Sequence, residues 1–140
     1  MSRNVVDASV AVKWFFPEVH SEEAIRLRNP PHELHAPDLL WLEVHNVVCR
    51  NIRRNLIAQE KGLQILSVLR RLPIQIFPSV DLLDTATAIA LDTAAGLYDC
   101  IYVALAILLD ARMVTADRRL YQGLRSGPLA DRVLWVGDLH

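Results

Sequence analysis

Short β-branched runs alternate along this chain with longer stretches whose apolar positions recur at helical spacing. Asn4-Val5-Val6, Leu34-His35-Ala36, Ile74-Gln75-Ile76-Phe77, Arg112-Met113-Val114-Thr115 and Val133-Leu134-Trp135-Val136 read as five strands. Helices are expected over residues 10–16, 21–28, 39–55, 58–71, 98–110 and 118–124. A further one reaches about residue 94 from a cap at Ser79 or Asp81, and Asp38 is the expected cap of the helix at 39. Strands alternating with helices predict an α/β fold with a parallel sheet covered on both faces. No linker and no repeat interrupts the pattern, so residues 1–140 are expected to form a single domain.

The stretch after Gly96 breaks the usual amphipathic rule. From Leu97 to Leu109 it is apolar on every face, as in a buried helix, yet Asp99 sits in its first turn. An unpaired buried carboxylate costs several kcal/mol or more, so a helix N-terminus, a cation or a metal must compensate. Of the 16 acidic residues, most stand at helix starts or in polar loops. Asp7, Glu43, Asp99 and Asp117 do not, because their neighbours are apolar or strand-like. Each has a bland explanation of its own. Asp7 and Asp117 could cap the helices that follow them, Asp99 could be a first-turn acid on the helix dipole, and Glu43 could pair with a buried arginine. These explanations do not predict a set, with Asp7 directly after the first strand and Asp117 shortly after the fourth. Ligands of open α/β sheets bind outside the carboxyl ends of the strands.

Composition narrows the chemistry. A net charge of −1 excludes a strongly basic nucleic-acid binder by bulk charge, although all cationic side chains except Lys13 and Lys61 are arginines, which suit planar contact with phosphate or carboxylate. The two cysteines, Cys49 and Cys100, form no zinc-like spacing and are expected to be packed, reduced thiols, consistent with the cytoplasm. The N-terminus lacks a signal-peptide pattern and no apolar run spans a bilayer, so no membrane role is expected. Clustered carboxylates repel one another unless hard cations sit between them, and an all-oxygen set suits Mg²⁺ or Mn²⁺. The reaction class that follows is metal-assisted phosphodiester hydrolysis. A phosphatase of similar layout would want a second acid two residues after the first, where Ser9 stands, a receiver domain a late lysine, and a dinucleotide binder a glycine-rich turn after the first strand; all are missing.

Four blocks carry a family resemblance: Val5-Val6-Asp7-Ala8-Ser9, Pro37-Asp38-Leu39-Leu40 leading into Glu43-Val44-His45-Asn46, Tyr98-Asp99 through Ala106, and Val114-Thr115-Ala116-Asp117-Arg118-Arg119-Leu120. In order and spacing they resemble the motifs of PIN-domain ribonucleases, and most closely the VapC toxins of toxin–antitoxin pairs. The resemblance implies a three-layer α/β/α fold with a five-stranded parallel sheet and Mg²⁺- or Mn²⁺-dependent endoribonuclease activity. It implies Asp7 and Asp99 as principal metal ligands, Glu43 and Asp117 as completing the pocket, and Ser9, Asn46 and Thr115 as supporting polar residues. It implies a small VapB-like antitoxin as partner, an RNA substrate and a homodimer. His45 and Cys100 depart from the family pattern without removing an acid. Arg50, Arg53, Arg54, Arg118 and Arg119 are candidates for RNA phosphate contacts, and one or two of Trp14, Phe15 and Phe16 for a partner groove or for core. The competing reading is a protein-interaction module that keeps the acidic pocket without catalysis.

Overall fold

In the computed structural model, which describes residues 2–139, five parallel strands form one sheet in the order β3-β2-β1-β4-β5. The strands are β1 (Ser2–Val6), β2 (His32–Pro37), β3 (Ile74–Phe77), β4 (Arg112–Thr115) and β5 (Val133–Trp135). The seven α-helices among the described residues are α1 (Ala8–Ala11), α2 (Ser21–Arg26), α3 (Leu39–Arg53), α4 (Gln59–Arg71), α5 (Leu83–Asp92), α6 (Leu97–Leu108) and α7 (Arg118–Arg125). The expected α/β/α architecture is therefore present, and the single unit expected over 1–140 extends one residue beyond the described chain at each end.

The layers follow from the alternation of side chains along each strand. Val6 and Val114 face the core shared with α1–α4, which includes Leu40, Val44, Val48 and Leu69. Their neighbours Val5 and Met113 face the opposite core, with Cys100 to Ala106 of α6 and Leu120 and Leu124 of α7. Both faces of the central strands are thus buried, which is why they read as continuous apolar runs.

Chain direction matters more than layer count. The chain steps outward from β1 to β2 to β3, then returns through α5 and α6 to place β4 on the other side of β1. Between β1 and β4 the winding reverses, which opens a crevice at their carboxyl ends.

Several element ends differ from the sequence reading for identifiable reasons. The first helix begins at Ala8 rather than residue 10, because the Asp7 carbonyl already accepts from the Val10 and Ala11 amides; it then tightens into a 3-10 turn over Val12–Trp14. α3 stops at Arg53 and α6 at Leu108, and Asn55 and Asp110 follow in the left-handed region at φ 58° and 50°, which both residue types tolerate. Asp38 does not cap α3. Its carboxylate instead accepts from the Ser79 amide and hydroxyl, and the Ser79 hydroxyl accepts the Leu39 N–H, so the cap is supplied from the chain after β3. Ser79 accordingly caps nothing in its own helix.

Cys49 is exposed, against expectation, because Val44 and Val48 define the inward face of α3 and the next residue turns about 100° away. Cys100 is buried as expected. α6 is buried through its centre, but Tyr98 and Leu108 at its ends are exposed. No single helix among the described residues is long and apolar enough to cross a membrane.

Candidate active site

Two hydroxyls fix the side chain that emerges from β1. Asp7 stands at the N-cap position of α1 yet makes no capping hydrogen bond, so its simple explanation fails. Its Oδ2 accepts instead from the Ser9 hydroxyl at 2.7 Å and the Thr115 hydroxyl at 2.8 Å. These hydroxyls are held in turn: Ser9 Oγ accepts the Ala116 N–H and Thr115 Oγ1 accepts the Asp117 N–H, both at 3.0 Å. The ends of β1 and β4 are thereby laced together across the crevice. Asp7 is only 5% exposed, and burial pushes its carboxyl above the ordinary value despite the two donors.

The other three acids arrive from separate elements. Glu43 projects from the second turn of α3, where it pairs with no arginine. Its Oε1 accepts the Tyr102 hydroxyl at 2.5 Å, and burial raises its pKa. Asp99 lies in the first turn of α6 and is pushed up to about 6, first by desolvation and then by the charges of Asp7, Asp117 and Glu43. Asp117 does cap α7, accepting the Leu120 N–H at 3.1 Å, while it also faces the cleft. All four line one cleft of about 530 Å³, together with Ser9 and with Asn46 one turn beyond Glu43 on α3. Thr115 lies behind it and acts on Asp7 from below. His45 takes no part, since its Nδ1 lies 2.6 Å from the Trp41 carbonyl.

The cations are distributed differently from the sequence expectation. Arg50 lines the cleft, but Arg53 and Arg54 do not, and Arg118 stacks on the Trp135 ring at 4.9 Å. Trp14 is core: its Nε1–H donates to the Ala24 carbonyl at 2.7 Å, while Phe15 and Phe16 pack on the same cluster half-buried. Two cleft features were absent from the sequence reading. Lys13, 9% exposed, lines the wall and is tied to Glu18 at 3.0 Å, so it does not neutralise the acids. Tyr102 supports Glu43 from α6, and its position three residues after Asp99 was the available signal, because i and i+3 share a helix face.

An all-oxygen set whose members raise one another's pKa fits a hard divalent cation. Among the described residues no three acidic, histidine or cysteine side chains are arranged to hold an ion between them as they stand. The fit is therefore to an ion that keeps several waters, as Mg²⁺ does.

The raised Asp99 value sets a pH dependence. A group that holds its proton more tightly when folded contributes stability that is complete below its unfolded value of 3.8 and is lost as pH rises through about 6. Buried His35, whose ring nitrogens have no hydrogen-bond partner and whose pKa is lowered by desolvation, acts in the opposite sense. The difference between wild type and Asp99→Asn isolates the carboxyl. In EDTA, the melting temperature of Asp99→Asn should gain on wild type as pH rises from 5 to 7.5. After discounting for its partial exposure, the corresponding gain in unfolding free energy should be on the order of 1 kcal/mol. Parallel pH curves for the two proteins would contradict the coupling.

Comparison with known proteins adds independent information. The model of the PIN domain matches residues 5–123. Ribonuclease VapC3 of Pyrobaculum aerophilum is 34% identical over 118 residues, which cover 83% of this chain and 90% of that protein. Ribonuclease VapC9 of Mycobacterium tuberculosis is 33% identical over 116 residues, covering 83% and 87%. Among solved structures, PAE2754 from Pyrobaculum aerophilum superposes with a TM-score of 0.70 at 22% identity, covering 99% of this chain and 86% of that one. VapBC2 from Rickettsia felis, bound to a DNA fragment from its promoter, superposes with a TM-score of 0.64 at 11% identity, covering 95% and 96%. At these identities the superpositions speak for the fold alone.

Proposed function

Because the chain belongs to the PIN-domain family, and within it to the VapC-like group, we propose that it is a Mg²⁺- or Mn²⁺-dependent endoribonuclease, the toxin of a toxin–antitoxin pair. The observation that carries the reading is the convergence of Asp7, Glu43, Asp99 and Asp117 in one cleft at the β1/β4 reversal, with the buried lysine of that cleft committed to Glu18. Asp7 and Asp99 would hold the ion. Glu43 and Asp117 would complete the pocket, holding the ion or its waters. When bound, such an ion supplies Lewis-acid polarisation of a phosphoryl oxygen and water activated near neutral pH.

The remaining work falls to the chain. Ser9 and Thr115 fix the Asp7 carboxylate in one orientation, so that no reorganisation is needed during reaction. Tyr102 does the same for Glu43, leaving its second oxygen to the cleft. Asn46 and Arg50 stand on the α3 side of the cleft, where they can meet the RNA backbone. The partners implied are an RNA strand, a small VapB-like antitoxin and a second copy of this chain. Exposed Leu42, Val80 and Leu91 offer apolar surface for protein partners. The setting is the cytoplasm, and the chain acts as one domain.

The test is cleavage of labelled RNA by the purified protein. Cleavage should require Mg²⁺ or Mn²⁺, stop in EDTA and return with excess metal. Metal binding without cleavage of any RNA, in the absence of antitoxin, would shift the balance to a non-catalytic interaction module.

A further inference from the structure

Asp99 and Asp117 line two clefts. Beyond them, away from Asp7, lies a second depression of about 410 Å³, bounded by the turn from Thr93 to Gly96 and by Arg119 and Gly123 of α7. The two clefts meet at this carboxylate pair and so form one groove across the carboxyl edge of the sheet. The second half differs in kind from the first. Its lining is mostly apolar, with buried Leu120 and Leu124 beneath the small residues Ala94, Ala95, Gly96 and Gly123, and its one cation is Arg119. A β-carbon added at Gly96 or Gly123 would meet no protein atom within 4 Å, so the space above both is open.

Arg119 is placed differently from its neighbour. Arg118 is spent on the Trp135 ring, whereas Arg119 is exposed and turned to the groove. A polyanion bound across Asp99 and Asp117 needs cations on both sides of the acids. Arg50 stands on one side and Arg119 on the other. This apolar lining admits a base face without edge contacts, and unpaired bases are the ones that can be splayed into such a site.

We propose that the second cleft is the subsite for the nucleotide next to the scissile phosphate on the far side from Lys13, with Arg119 contacting that nucleotide's phosphate and the apolar lining of the cleft accepting its base. The substrate is then a single-stranded segment that spans both clefts. This rests on the endoribonuclease reading.

Two variants test it without touching an acid. Gly123→Leu fills the cleft at a helical position where the added atoms find open space. Arg119→Gln removes the cation. Each should lower kcat/KM on a labelled single-stranded RNA by about 10-fold, through KM, while the Mn²⁺ affinity measured by calorimetry stays at the wild-type value. Arg119→Gln should also reduce the salt slope of RNA binding by about 0.7, the share of one single-strand phosphate contact. Arg70→Gln on α4, outside both clefts, is the control for loss of general positive charge. Wild-type kcat/KM and salt slope in both variants would overturn the subsite while leaving the nuclease reading intact. A fall in kcat/KM matched by a fall in Mn²⁺ affinity would also overturn it, since the effect would then run through the acids. A wild-type protein that cleaves no RNA would remove the nuclease reading itself.

Discussion

Asp7→Asn should abolish metal-dependent RNA cleavage, with a loss of about 10³-fold or more in kcat/KM, while the protein remains folded. The side chain is nearly isosteric, and the amide oxygen can still accept from Ser9 and Thr115. The change therefore does not unlace β1 from β4. What it removes is a charge and a lone pair facing the cleft, replaced by an N–H₂ donor that repels a cation. Because burial disfavours the Asp7 carboxylate in the metal-free protein, the same substitution should raise the melting temperature in EDTA. Activity lost while stability is gained is the signature of a functional carboxylate held against its own solvation preference. A variant that loses both together would mark Asp7 as a structural anchor.

Tyr102→Phe should weaken metal binding or cleavage by about 10- to 100-fold, the usual effect of removing a group that orients a ligand. The ring is fully buried on α6, and its hydroxyl crosses the core to Glu43 on α3. Phenylalanine keeps the packing and deletes only the hydroxyl, with its bond to Glu43 and its interaction with the Ala8 amide, so the cost to stability should be about 1 kcal/mol. If Tyr102 acts through Glu43, its effect must vanish once Glu43 is gone. In a double-mutant cycle, Tyr102→Phe should cost little in a Glu43→Ala background, which removes the acceptor, leaving a coupling energy of roughly 1–3 kcal/mol. Additive losses in Mn²⁺ affinity would contradict the positioning role and leave Tyr102 as packing.

What the sequence discloses, and what it hides, divides along the reach of local rules. The strands are legible because their cores are buried on both faces, so Val5-Val6 and Met113-Val114 are apolar without interruption. The acids are legible because they contradict their surroundings: Asp99 heads an apolar helix, and Glu43 sits between Leu42 and Val44 with nothing nearby to cap. Their individual bland explanations fare unevenly. Capping is true of Asp117, untrue of Asp7, and an arginine pair is untrue of Glu43. Local pattern cannot decide Asp7 and Glu43, because their partners Thr115 and Tyr102 lie tens of positions away.

The same limit explains the misses. Ser79 caps α3 from 40 residues downstream, so Asp38 looked like the cap and Ser79 looked like the start of the next helix. Lys13 appears in sequence as one lysine in an apolar turn, and only the fold brings it to the wall of the acidic cleft. Ser9 and Thr115 were recognisable as motif positions, but their shared grip on one Asp7 oxygen is a tertiary fact. The arginines were the least legible. Arg118 and Arg119 are adjacent in sequence, yet one stacks on Trp135 and the other lines the second cleft.

The most direct test of the proposed metal centre is Mn²⁺ titration calorimetry on wild type and Asp7→Asn side by side, in the absence of RNA. Wild type should give a saturable binding heat that Asp7→Asn lacks or shows at least about 10-fold more weakly. Equal Mn²⁺ affinity in the two proteins, or no binding to wild type, would contradict a metal site built on Asp7.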